Sequence, residues 1–374
     1  MRMRAAILNA CGVDRPYQET KPLEIGEVEV EGPGPGEVLV KVEAAGLCHS
    51  DLSVIDGNRP RPTPMVLGHE AAGRVVEIGA GVGDLAVDDQ VALVFAPSCG
   101  TCLPCASGRP SICEPGAKAN GAGSLLGDVR RLSRGGAPVH HHVGVSAFAE
   151  YAVLHRGSLV KIDPELPPEI AALFGCAVVT GAGAVINTAQ FRPGATAAVV
   201  GLGGVGLCSV LGARAAGARR IVAVDLNPEK LALAREVGAT DTVLASDPDA
   251  VAQVKEITGG GAEYAFEMAG SARALELAYA LTGRGGTTVT AGLPHPDARM
   301  DLSPLSLVAE ERTLKGSFVG TCVPKRDLPM FADLHRAGRF PVEKLLTHRI
   351  TLDEINLGFE RLADGTAVRQ VVLF

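Results

Sequence analysis

The run VVGLGGVG at residues 199–206 constrains this chain more than any other stretch. Ala197–Val200 suits a buried strand, and Gly201-x-Gly203-x-x-Gly206 follows it directly. Glycines at that spacing let the backbone turn sharply, admit a pyrophosphate against bare main chain and seat the next helix close to the sheet. Gly204 and Val205 open that helix, which is predicted to run to about Ala216, and its amino terminus faces the phosphate charge. Arg220–Asp225 is a second strand. Asp225 ends it where a carboxylate can accept hydrogen bonds from an adenosine ribose, and its charge would repel a 2′-phosphate, so NAD is expected rather than NADP. Lys230, on a helix predicted at Pro228–Val237, could reach the same ribose. Strands at Thr242–Leu244, Tyr264–Glu267, Thr287–Ala291 and Leu314–Val319 alternate with helices at 248–257 and 271–282. Such alternation implies an α/β fold with a doubly wound parallel sheet.

The first third has another texture. Short alternating runs such as EVLVKVEAAG (37–46) and GRVVEIGAGVGDL (73–85) are broken by Gly and Pro, as irregular β structure requires. After the doubly wound segment the chain returns to mixed α and β and ends in a strand at Arg369–Phe374. With 374 residues, about two domains are expected, the nucleotide domain being inserted into a mostly-β one. Lys+Arg number 35 against 42 Asp+Glu, a net charge of −7 without a basic run, which argues against nucleic acid or an anionic membrane as partner. No apolar run resembles an export signal or a membrane span, so a cytoplasmic protein is expected. Its nine cysteines should then be reduced, and better explained by metal or catalysis than by disulfides.

Cys99-x2-Cys102-x2-Cys105-x7-Cys113 can close four thiolates tetrahedrally around zinc, because the intervening Gly- and Pro-containing turns bring the sulfurs together. No open position remains, so the site would be structural. An iron–sulfur cluster and unliganded thiols are the weaker alternatives, since nothing else here points to electron transfer. Cys48 (AGLCHSD), His69 beside Glu70 (LGHEAAG) and Cys176 (FGCAVVTGAG) are each unremarkable alone. Together with a water they would make an open zinc site.

These segments, with GLGGVG followed by Asp225 and the closing RQVVLF, resemble the zinc-dependent medium-chain alcohol dehydrogenases along nearly the whole chain, in particular the long form that includes class I and class III enzymes. The resemblance implies a GroES-like catalytic domain at 1–178 and 321–374, with a structural-zinc lobe at about 95–115. It also implies a Rossmann domain at 179–320 and an active site in the cleft between the two. Two zinc ions (Zn2+) and NAD are implied: Cys48, His69 and Cys176 hold the catalytic metal, and Cys99, Cys102, Cys105 and Cys113 the structural one. Glu70 matches an acidic neighbour of the catalytic metal, Asp51 the carboxylate that orients His69, and Ser50 the hydroxyl that takes the substrate proton. His49 and Arg369 match groups near the pyrophosphate, Thr180 and Val205 contacts around the nicotinamide.

The implied reaction interconverts alcohols with aldehydes or ketones by hydride transfer to NAD. The alternatives are oxidation of an S-hydroxymethyl thiol adduct of formaldehyde and, less favoured, a non-catalytic nucleotide-binding protein. Ser53 stands where class I enzymes often place a relay His. Ala117 stands where class III enzymes place an Arg for the carboxylate of glutathione, with Lys118 adjacent. Phe95, His142, Val143, Leu293 and Phe318 match the substrate pocket. The His140–His142 run is not expected to bind metal. A homodimer is implied by the retained segment Glu114–Gly144, with contacts through an edge strand near Met300–Leu302 and the strand near Leu314–Val319.

Overall fold

The computed structural model describes residues 1–374. Its contacts divide the chain into two units. One comprises Met1–Cys176, Val323–Ala332 and Leu345–Phe374, the other Ala177–Cys322 and Asp333–Lys344. The second unit takes in Asp333–Lys344, which the sequence had assigned to the mostly-β part. In that stretch Arg339 reaches back to donate to the Ala215 carbonyl (3.1 Å).

Six strands build the second unit: β1 (Thr196–Val200), β2 (Arg220–Asp225), β3 (Asp241–Leu244), β4 (Ala262–Glu267), β5 (Thr282–Thr290) and β6 (Thr313–Gly316). All pair in parallel, in the spatial order 3-2-1-4-5-6. β1 is buried along its whole length, as a strand covered on both faces must be. Helix Pro228–Val237 starts where its propensities place it: the Asn227 side chain accepts the Glu229 amide (2.8 Å) and proline takes the first turn. Two sequence expectations are corrected at the edge. The last strand stops at Gly316, because Val319, Gly320 and Thr321 all take left-handed φ near +50 to +62°, which no strand allows. Met300–Leu302 is not a strand but irregular chain leading into helix Pro304–Ala309.

In the first unit, Arg2–Leu8, Leu23–Val30, Leu132–Arg134, Ala137–His141 and Met65–Val66 form a closed barrel. Beside it, Glu37–Gly46 is the hub of a seven-stranded sheet, pairing with Glu70–Ile78, Tyr151–His155 and the terminal strand Arg369–Leu373. Alternate residues of the hub, Val38, Val40 and Val42, enter a core shared with Leu93, Phe148 and Phe359. The register sets Gly46 opposite both Glu70 and Val371, so three distant segments meet at one point. The apolar helical stretch Pro168–Thr188 is long enough to cross a membrane, yet its most apolar window is 89% buried within the fold. It behaves as a core helix, and its regular winding is interrupted by π-turns at Phe174–Val178 and Ala184–Thr188.

His141 lies in the barrel with 1% of its surface exposed, and its Nε2 accepts the Arg131 amide (3.0 Å). Burial, aided by the charges of Arg130, His140 and Arg131, lowers its pKa from the usual 6.5 to about 3. Between those values the unfolded chain binds the proton better, so stability present above 6.5 is lost as pH falls through the window. The thermal midpoint is therefore expected to drop as pH falls from about 7 to 5, and less steeply in His141→Gln, which retains an acceptor for Arg131. Identical slopes in calorimetry would contradict the assignment.

Candidate active site and metal centres

Cys48 caps helix His49–Ile55 in extended conformation. His69 immediately follows Gly68, and Cys176 sits in the π-turn of the core helix. Glycine is obligatory at two of these approaches. Gly68 has φ +91° and a Cβ there would lie 2.6 Å from the Phe148 amide, while a Cβ on Gly175 would lie 2.2 Å from the Leu93 carbonyl oxygen. The three ligand atoms of Cys48, His69 and Cys176 all lie within 4.8 Å of one another, and all three residues are buried. Two sulfurs on one tetrahedral zinc stand about 3.8 Å apart.

Asp51 has no exposed surface. Its Oδ1 accepts the Gly68 amide (3.0 Å) and lies 3.1 Å from His142 Nδ1, and its Oδ2 lies 3.0 Å from His69 Nδ1. Neither His69 nitrogen has a well-aligned hydrogen bond, but Nδ1 lies against the Asp51 carboxylate, so buried Nε2 is the nitrogen left for a metal. Burial opposes a charge on His69, but the Asp51 and Cys48 charges outweigh it and hold its pKa well above the ordinary value. A hydrogen bond with Cys176 draws the Cys48 thiol well below its usual range, and the same contact, with burial, pushes Cys176 well above it. One thiolate is therefore already favoured. Glu70 is fully buried, 3.4 Å from Arg369, and burial lifts its pKa to about 7 despite that guanidinium. A side chain at Gly46 would collide with Glu70.

The second cluster is local. The sulfurs of Cys99, Cys102, Cys105 and Cys113 also lie within 4.8 Å of one another, Cys102 and Cys113 at 3.8 Å. Main-chain amides surround them: Thr101 and Cys102 donate to Cys99 Sγ (3.5 and 3.3 Å), and Cys99 and Gly116 to Cys113 Sγ (3.3 and 3.4 Å). The Thr101 and Cys102 amides pull the Cys99 thiol down to about 6, whereas burial pushes Cys105 up to about 12. Four converging thiols with amide support suit a closed zinc site.

In the second unit Gly201 takes φ +89°, and a Cβ on Gly206 would lie 1.8 Å from the Gly201 carbonyl oxygen. Gly203 differs: a Cβ there meets nothing within 4 Å, so the bare main chain at the helix start faces open space, as a pyrophosphate needs. No side chain caps helix Gly204–Ala215. Asp225 accepts the Leu202 amide at Oδ2 (2.6 Å) and the Asn227 amide at Oδ1 (2.9 Å), so the predicted ribose ligand also ties down the Gly loop. Lys230 is half-buried on the next helix, Val205 lies in the first turn after Gly204, and Thr180 Oγ1 is buried with no hydrogen-bond partner.

The other predicted residues fall as follows. Ser50 is half-buried in the first turn after Cys48, His49 is exposed beside it, and Arg369 is buried against Glu70 and the Leu47 carbonyl (3.4 Å). Ser53 donates to the Ser50 carbonyl (2.8 Å), within its own helix. The three consecutive histidines serve different partners: His140 accepts from Arg130, His141 from Arg131, and His142 faces Asp51. His142 as second partner of Asp51 was not foreseen, and neither was Glu267. The latter is 1% exposed and joins the Gly270 amide (2.5 Å) to the Thr290 hydroxyl (2.7 Å) at the carboxyl ends of β4 and β5. A carboxylate directly after the run Tyr264-Ala265-Phe266 was the available signal.

Residues 34–164 match the alcohol dehydrogenase GroES-like domain and residues 204–336 the zinc-binding dehydrogenase family. The chain is 38% identical to S-(hydroxymethyl)glutathione dehydrogenase of Synechocystis sp., over 100% of both chains. Among solved structures, an alcohol dehydrogenase zinc-binding domain protein from Burkholderia ambifaria is 36% identical with a TM-score of 0.94. Benzyl alcohol dehydrogenase from Acinetobacter calcoaceticus is 32% identical with a TM-score of 0.93, and each match covers 100% of this chain and 99% of the other. This chain thus belongs to the zinc-binding, medium-chain alcohol dehydrogenases. It is a zinc-dependent oxidoreductase that acts on the CH–OH group with NAD as acceptor.

Elemental analysis of the purified protein is expected to return two zinc ions per chain. Cys176→Ser should lose one of them together with turnover while still binding NAD, and Cys102→Ser should lose one and unfold at lower temperature. A single zinc in the unmodified protein would refute the two-centre assignment.

Proposed function

We propose that the enzyme oxidises primary alcohols with an apolar body in preference to the glutathione adduct of formaldehyde. The observation that carries this reading is residue 117. It is an exposed alanine on helix Glu114–Ala122, and it offers no charge to a glutathione carboxylate. Such a charge-assisted contact is typically worth about 1.5–3 kcal/mol, roughly tenfold or more in binding. Phe95, Val143, Leu293 and Phe318 supply apolar surface, worth about 0.8 kcal/mol per methylene buried.

Cys48, His69 and Cys176 would hold a zinc ion supplying Lewis acidity toward the alcohol oxygen, and bound NAD would supply the hydride-accepting chemistry. The protein's own groups do the rest. Asp51 takes the Nδ1 proton of His69 in a hydrogen bond and so keeps Nε2 as the ligand atom. Ser50 accepts the substrate hydroxyl proton and hands it toward solvent, with no imidazole at position 53 to extend the relay. Arg369 offsets the buried charge of Glu70. Asp225 and Lys230 hold the adenosine ribose, His49 the pyrophosphate, and Thr180 and Val205 the nicotinamide. Both thiolate centres need reduced cysteines, which fits a cytoplasmic setting.

Catalytic efficiency is expected to rise from ethanol through hexanol to octanol, to exceed that for formaldehyde with glutathione, and to favour NAD over NADP. The reverse order for the thiol adduct, by tenfold or more, would support the second reading, which rests on the activity named for the Synechocystis relative.

The protein is also proposed to be a homodimer. β6 pairs on one side only, and Leu305 and Val308, on the helix just before it, are 72% and 77% exposed. An open strand edge flanked by bare aliphatic side chains invites a second copy. Light scattering should give the dimer mass, and Leu305→Glu with Val308→Glu should shift it toward monomer. A monomer in the unmodified protein would overturn this assembly.

A further inference from the structure

Arg61 is half-buried, and its Nη1 donates to the Asn120 carbonyl (3.2 Å). Asn120 donates in turn to the Phe95 carbonyl (3.4 Å), and the Phe95 ring stands edge-on to His69 with centroids 5.2 Å apart. This chain of contacts links the Arg61 guanidinium, through Asn120, to the aromatic residue that packs on the His69 imidazole. On its other side Arg61 is held through its carbonyl, which accepts from Cys11 Sγ (3.5 Å).

A second guanidinium is close by. The Arg59 amide donates to the Ser53 carbonyl (2.7 Å), within the helix that begins at Cys48. Burial and the charge of Arg61 both disfavour the Arg59 cation, with Cys48 and Asp56 acting the other way. The positive charge of Arg61 is also felt at His142. A half-buried guanidinium bonded to a main-chain carbonyl keeps its full charge, and an anion brought beside Arg61 offsets the cost of that burial.

We propose that Arg61, seconded by Arg59, is a subsite for an anionic group at the far end of the substrate. The preferred alcohols would then carry a carboxylate separated from the carbinol by an apolar spacer. The proposal rests on the alcohol-oxidising reading above and names its substrate class more closely. Arginine suits this task because its planar fork meets both carboxylate oxygens. Nothing comparable is available from Ala117.

The test pairs each anionic compound with a neutral counterpart: 4-(hydroxymethyl)benzoate with benzyl alcohol, and formaldehyde plus glutathione with formaldehyde plus 2-mercaptoethanol. In the zinc-loaded enzyme, kcat/KM for 4-(hydroxymethyl)benzoate should exceed that for benzyl alcohol at least tenfold, through KM, and the advantage should shrink as salt is raised. Arg61→Gln should reduce that ratio about tenfold, while Arg61→Lys should keep part of it. Calorimetric binding of the same two alcohols to the protein with NADH should show the same ratio without turnover. Acid-to-neutral ratios near one in both pairs, or ratios untouched by Arg61→Gln in both pairs, would overturn the subsite. A fall confined to the glutathione pair would uphold the subsite and overturn the free-alcohol reading. If no alcohol turns over, that reading fails by itself, and the binding ratio still decides the role of Arg61.

Discussion

A carboxylate with no exposed surface, Asp51, holds the catalytic centre in shape. Burial works against its charge, and the facing His69 and His142 imidazoles outweigh that penalty and keep it ionised. An ion so placed must have every lone pair answered, because an uncompensated buried charge costs several kcal/mol at the least (roughly 3–5 when one partner is removed). The answers come from the Gly68 amide and its neighbour His69, and from His142 on a separate segment of the first unit. Much else follows from this. Gly68 must be left-handed to aim its amide, His69 must present Nε2 to the metal, and the Val143–Ser146 turn must bring His142 inward, helped by the Ser146 hydroxyl, which accepts the His142 amide (2.8 Å).

The two metal centres are built on opposite plans. The four-cysteine lobe closes within one loop, and its thiolates are supported by the amides of that same loop. Its geometry is largely a matter of local chain, so its metal stabilises a segment that has little core of its own. The three-ligand centre draws Cys48 from a helix start, His69 from a strand entry and Cys176 from a π-turn. Packing across the sheet brings those three side chains together without a metal, and on the proposed reading this leaves one position of the centre for substrate. The buried pair of Glu70 and Arg369, joined through the Gly46 crossing, ties the terminal strand to that arrangement.

In the nucleotide-binding unit the constraint is steric. Gly201 and Gly206 are required because the helix start is pressed onto the strand, while Gly203 is required because space there must stay empty. Asp225 serves both purposes, since its two oxygens fix Leu202 and Asn227 and still offer lone pairs outward. Buried Glu267 does similar work farther along the sheet, clamping the loops after β4 and β5 where a parallel sheet of this order binds its ligand.

Features that depend on chain neighbours were legible in the sequence. The Gly turn with its flanking strand and helix, the four cysteines, and β1, β2 and helix Pro228–Val237 follow from short-range sterics, ligand spacing and capping. The Cys48, His69 and Cys176 site was legible only by resemblance, since no spacing rule brings residues so far apart together. Tertiary structure alone decided the rest. It ended the last strand at Gly316, where three left-handed residues follow, and it put Cys176 in a π-turn. It also moved Asp333–Lys344 into the second unit and gave Asp51 a second imidazole. Local propensity and motif spacing act over a few residues. The answer to a buried charge, and the register of three strands around Gly46, are settled only when the whole sheet closes.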